Sequence, residues 1–189
     1  YKTNMGIWKT IYEKIKRKVI LINSKDIIKN EILESVKIIE KSLDSIDIID
    51  EIIKKIITCL KNGRKIVVFG NGGSAADSQH IAAELIGRFQ KERKSIPAIS
   101  LTTDSSIITS IANDYSYDEV FSRQCESIVL EGDLGIGIST SGNSKNVEKG
   151  IKMSKSKGAI TIGLLGNGGG NIKKIVDISL EAPSTNTAK

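Results

Sequence analysis

The sequence predicts an α/β fold in which helices cover both faces of a parallel sheet. Five short runs rich in Ile, Leu and Val alternate with helical patterns, and such alternation favours a parallel sheet. The 189 residues fit one domain, and an apolar fraction of 39% is enough to form its core. We therefore expect a three-layer α-β-α sandwich with additional helices at its N-terminus.

Three helical patterns precede the first predicted strand. Residues 1–22 have the spacing of a basic amphipathic helix. This helix would pack on its own domain or on a sister subunit, and a membrane surface or a partner helix is the alternative. A second helix is expected from Asp26 to about Ser42. A third carries an isoleucine stripe that ends at Leu60, and Gly63 suits its C-cap.

The predicted boundary between these helices and the sheet lies at residue 62. We expect residues 1–62 to form a helical segment that packs on the core and on neighbouring subunits, and residues 63–189 to form the core. No linker rich in Pro or Ser divides the chain, so one domain is predicted. The strands are predicted at 64–70, 96–102, 134–140, 159–166 and 176–182. The helices between and after them are predicted at 74–87, 105–113, 118–130, 143–157 and 171–175.

Composition and charge exclude several classes of protein. No apolar stretch approaches the ~20 residues of a membrane span, and no secretory signal is visible, so we expect a cytoplasmic protein. Cys59 and Cys125 lack CxxC spacing and are expected in the core. The net charge of +6 (28 basic minus 22 acidic residues) is spread among acidic residues, and aromatic residues are few. We therefore expect attraction of small anions rather than binding of nucleic acid.

A serine-rich loop follows the third predicted strand. In an open parallel sheet, ligands bind beyond the carboxyl ends of the strands. Ser139, Thr140, Ser141 and Ser144 place hydroxyl groups around Gly142 just before a helix. Backbone N–H groups at a helix start favour an anion, so the loop predicts a phosphate site. A helix cap and turn rich in Ser and Gly is the alternative interpretation.

Two further polar motifs lie at predicted strand or helix ends. In GNGGS, Gly72 and Gly73 permit a close backbone approach to a ligand, and Asn71 could bond a hydroxyl or carbonyl group. The motif is neither GxGxxG nor a nucleotide P-loop, so a dinucleotide site is disfavoured, and a tight turn is the alternative. Asn113 and Asp114 close a helix, where they serve either as a turn or as partners of sugar hydroxyls.

The helix after GNGGS carries the only histidine of the chain. His80 and Glu84 are four residues apart and share a helix face. Together they could bind one metal ion, or the carboxylate could move a substrate proton. A surface ladder in which Glu84 pairs with both His80 and Arg88 is the alternative. The opposite, core-facing side is expected to carry Ala75, Ala82, Leu85, Ile86 and Phe89.

In their order along the chain, these motifs resemble those of the SIS-domain phosphosugar isomerases, most closely the sedoheptulose 7-phosphate (phosphoheptose) isomerase family. The resemblance covers Asp26 to Lys189. The matching segments are GNGGSAADSQHIAAELIGRF at 70–89, TTD at 102–104, IANDY at 111–115, FSRQ at 121–124 and GISTSGNSKNV at 137–147.

The resemblance implies a flavodoxin-like sheet of order 2-1-3-4-5 inside a homotetramer with active sites between subunits. It implies interconversion of sedoheptulose 7-phosphate and glycero-manno-heptose 7-phosphate through an enediolate, the first step toward activated heptose for bacterial surface polysaccharide. The alternatives are a non-catalytic SIS module that binds a protein such as the replication initiator, a phosphosugar sensor, or an isomerase of another sugar phosphate.

The resemblance also implies roles for individual residues. Glu84 corresponds to the acid/base carboxylate, and His80 and Glu84 correspond to two ligands of one zinc ion per subunit. The family pattern continues with a helix that bears Gln and His, so we expect the remaining ligands and the partner base beyond Lys189. The substrate-binding set implied by the family comprises Glu84 and ten further residues: Asn71, Gly72, Gly73, Ser74, Asn113, Asp114, Ser139, Thr140, Ser141 and Ser144.

Overall fold

The computed structural model of the chain describes Glu13 and residues 24–166 and 168–186. The chain divides into two compact units, residues 1–40 and residues 41–189. The amphipathic helix predicted over residues 1–22 lies outside the described residues, apart from Glu13. Helix α1, Ser24–Lys41, confirms the helix predicted from Asp26, and none of its residues is buried.

The second unit contains the sheet and five α-helices in its described part. Short 3-10 helices cover Ser42–Ser45, Tyr117–Glu119 and Ile172–Lys174. The α-helices are α2 (Ile46–Lys61), α3 (Gly73–Ile86), α4 (Ser105–Asp114), α5 (Ser122–Ile128) and α6 (Lys145–Ser156). The strands are β1 (Ile66–Gly70), β2 (Ala98–Ser100), β3 (Leu134–Ser139), β4 (Ile160–Leu165) and β5 (Ile178–Glu181).

The five strands form one sheet of order β2-β1-β3-β4-β5, and every neighbouring pair is parallel. This topology confirms the predicted α/β sandwich and its flavodoxin-like strand order. Because all five strands run in the same direction, their carboxyl ends lie at one edge of the sheet. That edge therefore carries the turn after β1 and the serine-rich loop after β3.

The core lies on both faces of the sheet, because alternate residues of each strand point to opposite sides. Val67 and Phe69 belong to the cluster beneath α5 and α6, whereas Ile66 and Val68 belong to the cluster beneath α2 and α3. All four are fully buried. Burial on both faces explains why the strands read as continuous apolar runs rather than as alternating patterns.

Both cysteines are free thiols in this core, as predicted. Cys59 belongs to the cluster beneath α2, and Cys125 belongs to the cluster beneath α5. Burial raises the pKa of the Cys125 thiol to about 11. None of the helices in the described part of the chain has the length and apolar character that crossing a membrane requires.

Glycines allow α6 to approach the sheet closely. A Cβ atom on Gly137 of β3 would lie 2.9 Å from Val147 and 3.0 Å from Ile151. A Cβ atom on Gly150 of α6 would lie 2.7 Å from the Phe69 ring. Any larger residue at these two positions would push α6 outward, and with it the loop that precedes the helix.

Two predicted helices differ from the structure. The helix predicted over 118–130 is a 3-10 turn followed by α5, and the Ser122 hydroxyl lies within hydrogen-bond distance of the Glu119 carbonyl (3.1 Å) and carboxylate (2.5 Å) at the break between them. The helix predicted over 171–175 is one 3-10 turn. It is short because β5 begins at Ile178, only four residues after the turn ends at Lys174.

The prediction for the buried face of α3 was wrong for Ile86 and Phe89, which are 51% and 65% exposed. The helix ends at Ile86 with Gly87 as its C-cap, so Phe89 lies beyond it with a φ of 49°. Small residues face the sheet instead, because a closely packed helix has no room there for larger ones. The buried residues of α3 are Ser74, Ser78 and Ala82.

Candidate active site

A cavity of about 730 Å³ opens at the carboxyl edge of the sheet. It lies within the second unit, between α3, the ends of β3 and β4, and the segment that follows β5. His80 and Ser74 of α3 line it together with Thr140 and Ser141 of the serine-rich loop. Its apolar wall includes Ile138. The cavity therefore brings the histidine-bearing helix and two of the predicted phosphate-binding hydroxyls to one site.

The turn between β1 and α3 is shaped by its glycines. Gly72 adopts a φ of 57°, a left-handed conformation that glycine reaches without strain. A Cβ atom on Gly70 would lie 2.8 Å from the Ser74 Cβ and 2.9 Å from the Ile138 carbonyl oxygen. The turn thus holds the first residues of α3, including the buried Ser74, close to the end of β3.

The serine-rich loop divides its hydroxyl groups between two positions. Thr140 and Ser141 are exposed and line the cavity. Ser139 is buried, and its hydroxyl bonds the Ser144 hydroxyl at 3.0 Å. Ser144 is the N-cap residue of α6, but its side chain caps no backbone N–H group. Ser144 is therefore not a conventional helix cap. Thr140 and Ser141 are the two that line the cavity, and the Ser141 hydroxyl also accepts from the Asn143 backbone N–H at 3.2 Å.

The glycine-rich segment after β4, which contains residues 168–170, packs against the serine-rich loop. The Ile172 N–H group donates to the Gly142 carbonyl at 3.0 Å, and the Asn171 N–H group donates to the Asn143 side chain at 3.0 Å. A Cβ atom on Gly142 would overlap the backbone of Gly169. The segment after β4 thus packs backbone against backbone and fixes the shape of the loop.

His80 and Glu84 lie on one face of α3, as their spacing predicts. The His80 Nε2 atom is 3.6 Å from the Glu84 Oε1 atom, and the two side chains are 74% and 41% exposed. Arg88 pairs with Glu92 at 3.3 Å rather than extending a ladder from Glu84. Glu84 lies one turn beyond His80 and is not among the residues that line the cavity.

The imidazole and carboxylate of this pair are ligand types that suit zinc. Two ligands of one tetrahedral ion are separated by roughly 3.3 Å when each lies about 2.0 Å from the metal, so the observed 3.6 Å is compatible with shared coordination. The described residues contain no group of three or more His, Cys, Asp or Glu side chains that could hold a metal ion. His80 and Glu84 would therefore supply only part of a zinc site.

Asn113 and Asp114 lie at the end of α4, and both are exposed. The Asn113 amide donates to the Asp114 carboxylate at 2.9 Å. Neither residue is among those that line the cavity. Within the single chain, the structure therefore does not bring this predicted substrate-binding pair to the cavity.

Two residues that the sequence did not single out contact a predicted site residue. Asn146 of α6 exchanges two hydrogen bonds of 2.8 Å with Asn71, and the Tyr117 hydroxyl lies 3.1 Å from the Asn71 oxygen. The available signal was a buried Asn beside Val147 on the core-facing side of α6, where an apolar residue is expected. Its partner lies 75 positions earlier in the chain, so the contact itself could not be predicted.

Known proteins are similar to this chain in sequence and in fold. The family model of the SIS domain matches residues 20–166. The phosphoheptose isomerase of Geobacter sulfurreducens is 55% identical over 130 residues, which cover 69% of each chain. That of Aquifex aeolicus is 52% identical over 134 residues, which cover 71% of this chain and 70% of the relative.

Solved structures that are similar to this chain include enzymes of the same name as the sequence relatives. The phosphoheptose isomerase of Neisseria gonorrhoeae superposes with a TM-score of 0.82 at 36% identity, covering 87% of this chain and 88% of that one. The enzyme from Francisella tularensis gives a TM-score of 0.85 at 32% identity, covering 88% and 90%. The chain belongs to the SIS-domain family and, within it, to the phosphoheptose isomerases.

Proposed function

We propose that this protein interconverts D-sedoheptulose 7-phosphate and D-glycero-D-manno-heptose 7-phosphate, the first step toward activated heptose for bacterial surface polysaccharide. The observation that carries the proposal is the cavity in which His80 of α3 meets Thr140 and Ser141 of the serine-rich loop. A phosphosugar isomerase needs an anion anchor and a proton-transfer group within one substrate length. Thr140 and Ser141 line this cavity, and Glu84 lies 3.6 Å from His80, which also lines it. Four relatives at 50 to 55% identity are named phosphoheptose isomerase.

The reaction moves one proton between adjacent carbons of the sugar. A base removes the proton from C2 of the aldose, which gives an enediolate, and the proton returns to C1 to form the ketose. The hydroxyl proton moves from O2 to O1, so the overall change is redox neutral. In this proposal the Glu84 carboxylate carries the carbon-bound proton. His80 lines the cavity, and Glu84 is the carboxylate beside it.

The serine-rich loop would bind the 7-phosphate away from the reacting carbons. Thr140 and Ser141 offer neutral donors, and the start of the 12-residue helix α6 adds the favourable end of its dipole. Neutral donors hold a phosphate without the strong attraction of a buried cation, which lets product leave. Binding energy from this remote group orients the carbonyl end of the sugar.

We also propose zinc as the cofactor, with His80 and Glu84 as two of its ligands. When bound, zinc supplies a Lewis acid for the substrate's carbonyl oxygen. Elemental analysis of the purified protein should find about one zinc per chain, and His80→Ala should lower this content. Glu92→Gln, which changes an exposed carboxylate near the end of α3, should leave it unchanged. Equal zinc contents in the wild type and His80→Ala would contradict this assignment.

A homotetramer in the cytoplasm completes the proposal. Helix α2 exposes Ile46, Ile49, Ile53 and Ile57, an apolar face that association would cover. Light scattering after gel filtration should give a mass near 82 kDa, four times 20.5 kDa. The free thiols of both cysteines suit a reducing compartment, and fractionation of the source cells tests that location.

The proton-transfer role is tested with Glu84→Gln, which keeps the side-chain volume and removes the base. Aldose formation from sedoheptulose 7-phosphate should fall by at least about a hundred-fold, the usual contribution of general acid–base catalysis. Glu126→Gln on α5 is the matched control, since Glu126 is also about half exposed and ion-paired. Turnover of Glu84→Gln close to that of Glu126→Gln would remove Glu84 from this role.

The phosphate assignment is tested separately. Thr140→Val combined with Ser141→Ala should raise the Michaelis constant, because the loop loses the two hydroxyl donors that line the cavity. Ser156→Ala, at the opposite end of α6, removes a hydroxyl that bonds only within its own helix and should leave the constant unchanged. An unaltered Michaelis constant in the double variant would refute the assignment.

A further inference from the structure

A reciprocal pair of side-chain amides joins the two loops of the candidate site. Asn71 follows β1, and Asn146 lies in the first turn of α6, directly after the serine-rich loop. Each Nδ2 group donates to the other residue's Oδ1 atom at 2.8 Å. Asn146 is 3% exposed and Asn71 is half-buried, so the pair is a partly desolvated bridge between the two loops.

The direction of each amide in this pair is fixed by a third group. The backbone N–H of Val147 donates to the Asn146 Oδ1 atom at 2.9 Å, and only an oxygen can accept there. The Asn146 Nδ2 group must then face the Asn71 Oδ1 atom. The Tyr117 hydroxyl, 3.1 Å from that same oxygen, acts as a second donor to it.

Most of the hydrogen-bonding capacity of the Asn71 side chain is used within the protein. Its Oδ1 atom accepts from Asn146 and Tyr117, which uses both lone pairs. Its Nδ2 group has two hydrogens and donates one of them to Asn146. Among the described residues, no other side chain or backbone oxygen accepts the second hydrogen. Asn71 therefore keeps a single unused N–H donor, in the turn that leads to Ser74, which lines the cavity.

We infer that Asn146 and Tyr117 are positioning residues that hold Asn71 as a single-donor contact for an oxygen atom of the sugar substrate, an inference that rests on the proposed function. Without them, the Asn71 amide could rotate by half a turn and present its oxygen instead. A carbonyl or ionised oxygen of the substrate would then meet an acceptor. The same bridge fixes the distance between the turn that holds Asn71 and the loop proposed to bind the phosphate.

The inference is tested with a double-mutant cycle of Asn71→Ala and Asn146→Ala. Asn146→Ala should lower kcat/KM about ten-fold, the effect of losing roughly one oriented hydrogen bond. In the Asn71→Ala background the same change should have no further effect, because Asn146 acts through Asn71. Independent, multiplying effects of the two substitutions would overturn the inference.

Two further variants distinguish the positioning role of Asn146 from a merely structural one. Gln124 is another buried amide, and it donates to the backbone carbonyls of Leu101 and Val120 away from this pair. Gln124→Ala should lower stability but keep kcat/KM within about two-fold of the wild type. Asn146→Asp keeps the acceptor for Val147 and removes the donor to Asn71, so it should fold and still lose activity. Wild-type activity in Asn146→Asp would contradict the inference.

A substrate-free measurement separates this inference from the proposed function. In ¹⁵N-labelled protein, the side-chain amide resonances of Asn71 should shift in Asn146→Asp and in Tyr117→Phe, and should not shift in Gln124→Ala. Resonances unmoved in both network variants would refute the bridge. If the wild type does not turn over sedoheptulose 7-phosphate, the proposed function fails, and these resonances still decide whether the network orients Asn71.

Discussion

Replacement of Asp133 should be the most destabilising single change at the amino edge of the sheet. Asp133 is 1% exposed and precedes β3. Its carboxylate accepts from the Lys65 ammonium group at 2.6 Å, from the Lys65 backbone N–H at 3.0 Å and from the Leu130 backbone N–H at 2.8 Å. One side chain thus joins the residue before β1 to the turn before β3.

The expected loss follows from those three contacts. Asp133→Ala leaves two backbone donors and one ammonium group without their acceptor. Each unsatisfied buried donor costs about 1–3 kcal/mol, and breaking a buried ion pair costs about 3–5 kcal/mol. The Lys65 side chain is 26% exposed and Leu130 is 52% exposed, so water recovers part of the loss at both residues and the total stays below the sum of the separate costs. We therefore expect the free energy of unfolding to fall by about 3–4 kcal/mol.

The assay is urea unfolding followed by circular dichroism at one fixed protein concentration. Asp50→Ala is the control, because Asp50 also pairs with a lysine, Lys54, but both of these side chains are more than half exposed. A surface pair contributes about 0–1 kcal/mol. The folded Asp133→Ala protein should keep its kcat/KM, since Asp133 lies at the edge opposite the cavity. A loss no larger than that of Asp50→Ala would refute the reasoning.

Two further predictions concern acid stability and helix packing. Burial raises the pKa of Asp177, but hydrogen bonds from Lys155 and Thr161 outweigh it, so the pKa lies below its ordinary value. The stability that this lowered pKa contributes is complete above the unfolded pKa of about 3.9 and is lost as pH falls through the lower folded value. Asp177→Asn should weaken the pH dependence of stability below about pH 4 in acid-unfolding curves. An unchanged curve would contradict the assignment. Gly150→Ala should destabilise by about 1–2 kcal/mol, because its Cβ would lie 2.7 Å from the Phe69 ring. The added change Phe69→Leu should lessen the effect in thermal melts, and simple additivity of the two would argue against the clash.

The sheet could be predicted from the sequence because its strands are buried on both faces. A run such as IVVFG, which forms β1, must be covered on both sides, and this requirement leaves few folds for an alternating chain. The predicted edges were less accurate where tertiary contacts decide them. Strand β2 spans only Ala98–Ser100 rather than 96–102, because it lies at the sheet's edge and pairs with β1 alone.

The candidate site was predictable only where its residues are local in sequence. The spacing of His80 and Glu84 on one helix face required only the helical repeat. The division of hydroxyls between cavity and loop interior required the position of the glycine-rich segment after β4, which touches Gly142 from a distant part of the chain. The sequence contains both segments, but nothing in their spacing indicates that their backbones meet.

The two edges of the sheet use hydrogen bonds for different purposes. At the amino edge, the Asp133 carboxylate is buried and accepts three hydrogen bonds from protein donors, so it can only hold the fold together. At the carboxyl edge, Asn71 uses its acceptor fully and keeps one donor available, while Thr140 and Ser141 remain exposed to the cavity. Stability and ligand binding are therefore separable in this fold, because a group that is fully satisfied within the protein has nothing left to offer a substrate.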